Sequence, residues 1–185
     1  MNPSSVYRVT AFIIRRSNVG EADKILTIFS KNVGKLRVIA KGIRKITSRR
    51  GPHVDLFNEV SMMLHHGKTM DIVTEVTTIK TYRTGLSSWI RMRAAYLVVE
   101  ILDKLMPQRV EHQDIYSKLK ETLEAIEKTP EQQLDAVLLS WCNNVLIALG
   151  FLSYERQFST VPSAIAFIER IAERKIKTAK FFLTI

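Results

Sequence analysis

Apolar and polar positions alternate with a period of two through roughly the first 80 residues, and step by three or four after them. Tyr7, Val9, Ala11 and Ile13 alternate with Arg8, Thr10, Phe12 and Ile14, which predicts a strand with two distinct faces. Residues 24–30 (KILTIFS) are rich in β-branched and aromatic side chains, as strands prefer. Asn32, Val33 and Gly34 then supply a turn, and residues 35–40 (KLRVIA) resume the alternation. Leu36 and Val38 point one way and Lys35, Arg37 and Ile39 the other, giving a hairpin with a cationic outer face. Residues 57–65 and 70–79 form two further runs around a turn at His66, Gly67, Lys68 and Thr69. Five short strands in so little chain predict a small barrel or sandwich. The barrel is favoured, because closure removes exposed strand edges.

Beyond about residue 84 the spacing becomes helical. Trp89, Met92, Tyr96, Val99 and Leu102 or Asp103 predict a helix over 87–106 that stops before Pro107. A second helix is predicted from His112 to Lys128, with Ile115, Leu119, Leu123 and Ile126 on one face. Thr129 is placed to cap a third, with Pro130 in its first turn and Gly150 closing it. A fourth is predicted from Ser163 to Lys180, striped by Ile165, Ile168, Ile171 and Ala172. The predicted fold class is therefore α+β: a five-stranded β-barrel over 1–80 followed by an α-helical bundle over 81–185, changing near Thr81–Gly85. Residues 136–154 carry no formal charge and approach bilayer length. Asn143 and Asn144 at their centre favour an interior helix over a membrane span, since amides are costly in hydrocarbon.

Charge changes this picture more than composition does. The chain of 185 residues is 46% hydrophobic and 25% charged, enough apolar matter for a real core. Its net charge of +10 points to polyanionic partners. Residues 1–80 hold 14 Lys and Arg against 6 Asp and Glu, whereas residues 81–185 hold 14 against 12. Between Asp23 and Asp55 there is no carboxylate, yet Lys24, Lys31, Lys35, Arg37, Lys41, Arg44, Lys45, Arg49 and Arg50 all fall there. Repulsion among them is relieved if a phosphate backbone binds and its counterions are released. Thr and Ser in the same loop add neutral donors to phosphate oxygens.

Other candidate chemistry is weaker. Cys142 is the sole cysteine, which excludes an internal disulfide and a multi-thiolate zinc site and fits a reducing cytosol. Its apolar helical neighbours make it a core residue rather than a nucleophile. Adjacent His65 and His66, with Asp71 or Glu75 nearby, point to opposite faces of a strand, so a solvated hairpin end is the better reading. Glu21 and Asp23 close a turn between strands. Phosphate-binding glycine motifs and nucleophile elbows are missing from the sequence. No enzyme, cofactor or metal is expected, and the N-terminal residues do not read as a signal peptide.

The succession Asn18-Val19-Gly20-Glu21-Ala22-Asp23-Lys24, then Gly34-Lys35-Leu36, then Ala40-Lys41-Gly42-Ile43-Arg44-Lys45-Ile46-Thr47-Ser48, resembles the N-terminal signature of the RecO family of recombination mediators. Leu56-Phe57-Asn58-Glu59-Val60 and Leu64-His65-His66-Gly67-Lys68 extend the likeness, and Tyr96–Ile101 and Ala148-Leu149-Gly150 anchor it in the helical half. The resemblance implies that the barrel is an oligonucleotide-binding (OB) fold and that the helices form a shortened domain. It further implies a cytoplasmic, nucleoid-associated protein of DNA repair and recombination. Such a protein binds single- and double-stranded DNA, anneals complementary strands and acts with RecR. It also binds the C-terminal tail of single-strand-binding protein and helps to load RecA filaments. The chain departs from many relatives in lacking the four-cysteine zinc motif after the Gly150 region.

OB folds bind ligands on the face of strands two and three and on the loops after strands one and four. On that basis Lys35, Arg37, Lys41, Arg44, Lys45, Arg49, Arg50 and Lys68 are the expected DNA contacts. Phe12 or Phe29 are candidates to stack on bases, although each also suits a core. The alternatives are an RNA-binding module in RNA processing or translation, and an adaptor whose cations receive acidic tails. For the latter, Arg91, Arg93 and Arg109 offer guanidinium groups in the helical half.

Overall fold

A computed structural model describes residues 6–46, 48–83 and 85–181, with Phe181 by its backbone alone. Thr47 in the basic loop and Thr84 at the expected domain change lie outside the described residues. The chain divides into two compact units: one reaches Arg83 and includes Met106–His112, and the other comprises Thr84–Leu105 and everything from Gln113 onward.

The first unit is the expected closed five-stranded barrel, with strand order β1-β2-β3-β5-β4. Its strands are β1 (Val6–Val19), β2 (Asp23–Ser30), β3 (Gly34–Ala40), β4 (Glu59–His65) and β5 (Asp71–Lys80). Long β1 closes the cylinder by pairing antiparallel with β4 through its first half and with β2 through its second. Alternation builds the core: Val9, Ala11, Ile13, Leu26, Ile28, Leu36, Val38, Val60, Met62 and Leu64 form one buried cluster. The intervening Phe12 and Phe29 are register partners and are fully buried outside it, with the Phe12 ring 5.8 Å from Tyr82. The two rings are therefore packing groups.

The seam between β3 and β5 is short, with parallel pairs only at Val38–Asp71 and Ile39–Ile72. Other parts of the chain complete it on both sides. On one side the Arg50 guanidinium donates to the carbonyls of Val73 (2.9 Å), Thr74 (3.3 Å) and Lys41 (2.9 Å). On the other, Gln108 bridges to Lys35 and the Arg109 N–H donates to the Lys35 carbonyl at 2.9 Å. Residues 106–112, inside the stretch expected to be helical domain, thus belong to the barrel unit.

Gly34 permits this approach. It has φ +74°, and a Cβ there would lie 1.9 Å from the Val110 carbonyl oxygen. A left-handed conformation costs a non-glycine residue roughly 1–2 kcal/mol, and the overlap adds to that. Gly34→Ala is therefore expected to lower unfolding stability by about 2 kcal/mol, read as a lower denaturant midpoint at unchanged slope.

The second unit contains α1 (Trp89–Leu105), α2 (Gln113–Lys128), α3 (Leu134–Ala148) and α4 (Val161–Ala172). The α2 face of Ile115, Leu119, Leu123 and Ile126 is buried as expected. The α1 stripe holds only in part: Val99 and Leu102 are buried, but its aromatics are not. Trp89 is 66% exposed and Tyr96 42%, while Ala94, Ala95, Leu97, Val98, Val99, Ile101 and Leu102 are buried. A helix apolar on most faces gives no single stripe, and its large aromatics misled the phasing.

Helix ends differ too. Thr129 does not cap α3; a 3-10 turn over Glu131–Gln133 precedes it and Gln133 is the cap residue. The threonine that caps is Thr160, whose hydroxyl accepts from the Ser163 N–H at 3.3 Å, so α4 begins at Val161. That helix ends at Ala172, before left-handed Glu173 (φ 51°), rather than running to Lys180. Gly150 closes α3 as expected, at φ +76°. Its N–H donates to the Ile147 carbonyl and the Phe151 N–H to that of Leu146, each at 2.9 Å, a Schellman arrangement.

Asn143 is buried in α3 and satisfied there: its Nδ2 donates to the Phe158 carbonyl (3.0 Å) and its Oδ1 accepts the Phe158 N–H (3.1 Å). Cys142 is fully buried, which pushes its thiol up to about 12, so it is a packing group. Among the described residues no helix is long and apolar enough to cross a membrane.

Candidate nucleic-acid interface

Three strands set the outer face. Thr27 on β2 pairs with Arg15 on β1 and Arg37 on β3, so Arg15, Thr27 and Arg37 form one row across the sheet. The next row contains Ser17, Ile25 and Ile39, and Ile39 pairs onward with Ile72 on β5. Arg15 and Arg37 are exposed and the three isoleucines half-buried. Arg15 was missed by sequence reasoning because a bulge between Ile13 and Arg15 shifts the register, so simple alternation misplaces it.

The basic loop after β3 is built, not slack. Ile43 and Val54 insert into the barrel cluster. Asp23, at the foot of β2, accepts the Gly42 N–H at 2.7 Å. Arg44 donates its N–H to Ala22 at 2.9 Å and its Nη1 to the Gly20 carbonyl at 3.2 Å. Asp23, expected only to close a turn, thereby anchors the loop. The anchoring leaves Lys41, Arg44, Lys45 and Arg49 exposed, with Ile46 fully exposed among them. Among the described residues Arg37, Lys41, Lys45, Arg49 and Lys68 form no ion pair, and Lys68 stands exposed on the β4–β5 turn. Lys24 registers the crowding: burial first, then the nearby Arg16 guanidinium, hold its amine below the usual lysine range.

Two expected contacts are placed otherwise. Lys35 is only 9% exposed. Arg50 spends its guanidinium on the three carbonyls at the seam. Nor are the guanidiniums suggested for acidic tails idle. Arg91 donates to the Ile126 carbonyl and faces Glu131 at 3.8 Å, and Arg109 is bound to Asp71. On the barrel, Arg16 and Arg83 both pair with Asp55.

A polar cluster that no local pattern announced lies beside the β4–β5 turn. The buried Asp71 carboxylate accepts from the Tyr7 hydroxyl (2.5 Å) and Arg109 Nη2 (2.8 Å), and its other oxygen meets His66 Nδ1 at 3.2 Å. The Tyr7 and His66 rings stack with centroids 4.7 Å apart. Burial raises the Tyr7 phenol, with help from the Asp71 hydrogen bond and charge, to about 12. His66 is thus an ordered member of a network rather than a freely solvated hairpin end. No group of three or more His, Cys, Asp or Glu suited to a metal occurs among the described residues.

Comparison with known families places two adjoining matches on this architecture. The family described as Recombination protein O N terminal matches residues 1–82, and Recombination protein O C terminal matches residues 86–152. The chain is similar to the DNA repair protein RecO of Roseiflexus sp. (strain RS-1), 36% identical over 146 residues, covering 79% of this chain and 50% of that protein. It is 30% identical to the DNA repair protein RecO of Bifidobacterium longum subsp. infantis over 158 residues, covering 84% and 64%. A further relative of the same name, from Gloeobacter violaceus, is 30% identical over 155 residues, covering 84% and 59%. The chain therefore spans between half and two thirds of the length of these curated relatives.

Proposed function

The chain belongs to the recombination protein O family, and on that premise we propose that it binds single- and double-stranded DNA through phosphates, without reading sequence, in recombinational DNA repair. The observation that carries this reading is the set of exposed cations Arg37, Lys41, Arg44, Lys45 and Arg49 on one sheet face and its adjoining loop. Arg15 joins them from β1 and Lys68 from the β4–β5 turn. Arg50 through its guanidinium and Lys35 through its backbone carbonyl complete the barrel seam, and neither is counted among the exposed cations.

Annealing of complementary strands follows from the same chemistry. Partial neutralisation of two backbones lowers their mutual repulsion without preference for either sequence. In the cytoplasm, acting at the nucleoid, the protein would work beside RecR. It would engage the acidic tail of single-strand-binding protein and assist RecA loading on strands coated by that protein. This is a binding role, with chemistry left to its partners.

Salt tests the reading. If about four cations engage unpaired DNA, log affinity falls against log salt with a slope near −3. Affinity should vary little among mixed sequences of equal length, and DNA should compete at least as well as RNA. A slope near zero in equilibrium titrations, or tight binding confined to particular sequences, contradicts the proposal.

A further inference from the structure

We propose that the His66 imidazole is a stacking platform for an unpaired nucleobase, held ready by the Tyr7 ring on one face and the Asp71 carboxylate at its edge. The inference deepens the DNA-binding reading and rests on it.

Phosphate contacts cannot tell one strand from two; a flat surface offered to a base can, because a paired base has no free face. Among the described residues most rings of the barrel are closed to a base, the exposed His65 apart. Phe12, Phe29, Phe57 and Tyr82 are at most 1% exposed. His53 is engaged through Nδ1 with Thr78, at 2.9 Å from its hydroxyl.

His66 differs in three respects. Its side chain is 49% exposed. One face lies on the Tyr7 ring, 4.7 Å between centroids and inclined by 27°. Its Nδ1 is fixed 3.2 Å from Asp71, which is buried and itself tied to Tyr7 and Arg109. The ring is thereby oriented before any ligand arrives, so little further rotamer freedom is lost on stacking. Lys68, two residues on and exposed, adds a cation to the same turn. The turn is joined to the cationic face through the strands: His65, the residue before His66, pairs with Ile72 on β5, and Ile72 pairs with Ile39 on β3.

The full chain with His66→Ala and with His66→Phe should be titrated with a 20-nucleotide oligothymidylate, with the same strand carrying abasic sites, and with a duplex of equal length. The expected result for His66→Ala is a loss of about tenfold on the intact single strand, unchanged duplex affinity, and no added penalty from the abasic sites. His66→Phe, which keeps a ring, should recover most of the loss. Equal affinity of His66→Ala and wild type for the intact single strand overturns the inference. So does an equal loss on single strand and duplex, which marks a phosphate or folding effect. Failure of the wild-type chain to bind either nucleic acid instead removes the DNA-binding reading, and this inference with it.

Discussion

Replacing Lys41, Arg44, Lys45 and Arg49 together by alanine is expected to weaken binding to single-stranded DNA by roughly 10²- to 10³-fold at 0.1 M salt, equally for all sequences. The magnitude follows from counterion release: each phosphate contact to a single strand adds about 0.7 to the slope of log affinity against log salt. Losing four contacts therefore flattens the slope by about 3. Over the tenfold interval between 0.1 M and 1 M salt, that slope corresponds to the stated loss. Folding should survive, because the buried anchors Ile43 and Val54 remain. The Gly42 N–H keeps its acceptor in the Asp23 carboxylate and the Arg44 backbone N–H its acceptor in the Ala22 carbonyl, neither of which the substitutions remove. The measurement is fluorescence anisotropy at several salt concentrations, with thermal unfolding as control. Arg50 must be left in place, since its removal strips three carbonyls of their donor and would mix a folding defect with a binding one.

The second large effect is on stability. Asp71→Ala is expected to cost about 3 kcal/mol at neutral pH, because it strands the Tyr7 hydroxyl and the Arg109 guanidinium beside a buried vacancy. Arg109→Ala should cost less, about 1–2 kcal/mol, because that side chain is 53% exposed and water replaces part of what is lost. Burial alone would raise the Asp71 carboxyl, but hydrogen bonds from Tyr7, Arg109 and His66 outweigh it and hold the group below the usual carboxylate range. The fold therefore favours the ionised form. Its stabilisation is complete above the unfolded value of about 3.9 and is lost as pH falls through the lower native value. Denaturant unfolding of wild type and Asp71→Ala at pH 7 and near pH 3 should show the gap narrowing in acid. A gap that is unchanged or widens would place the stabilisation in packing instead of charge.

The barrel was legible in the sequence because its strand runs carry local signals of alternation or composition, and Val9, Ala11 and Ile13 on β1 and Leu36 and Val38 on β3 share the predicted faces. Helix α2 was legible for the same local reason. What escaped depends on registers and distant partners. The bulge at Ile13–Arg15 reverses facing for the residues after it, and nothing in FIIRR announces it. Thr129 is locally as good a cap as Thr160 is for α4, and only the 3-10 turn after Pro130 moves the start of α3 beyond its reach. Lys35 looks like its neighbour Arg37 until residues 108–110, more than 70 positions on, come to lie against that edge. Asp71 gathers Tyr7 from 64 residues upstream and Arg109 from 38 downstream. Such a cluster exists only once the chain has closed on itself. The cationic set was readable as a composition, whereas its division into exposed groups and structural ones was not.

The segment that completes the β3 edge comes from beyond the point where a sequence-guided excision of the barrel would cut. A fragment ending near residue 82 would carry β3 with the Lys35 carbonyl unmet and Asp71 without its guanidinium. Such an open strand is a template for pairing with another chain. Self-association of that fragment, growing with its concentration, is the behaviour expected when a sheet must borrow its last partner from elsewhere.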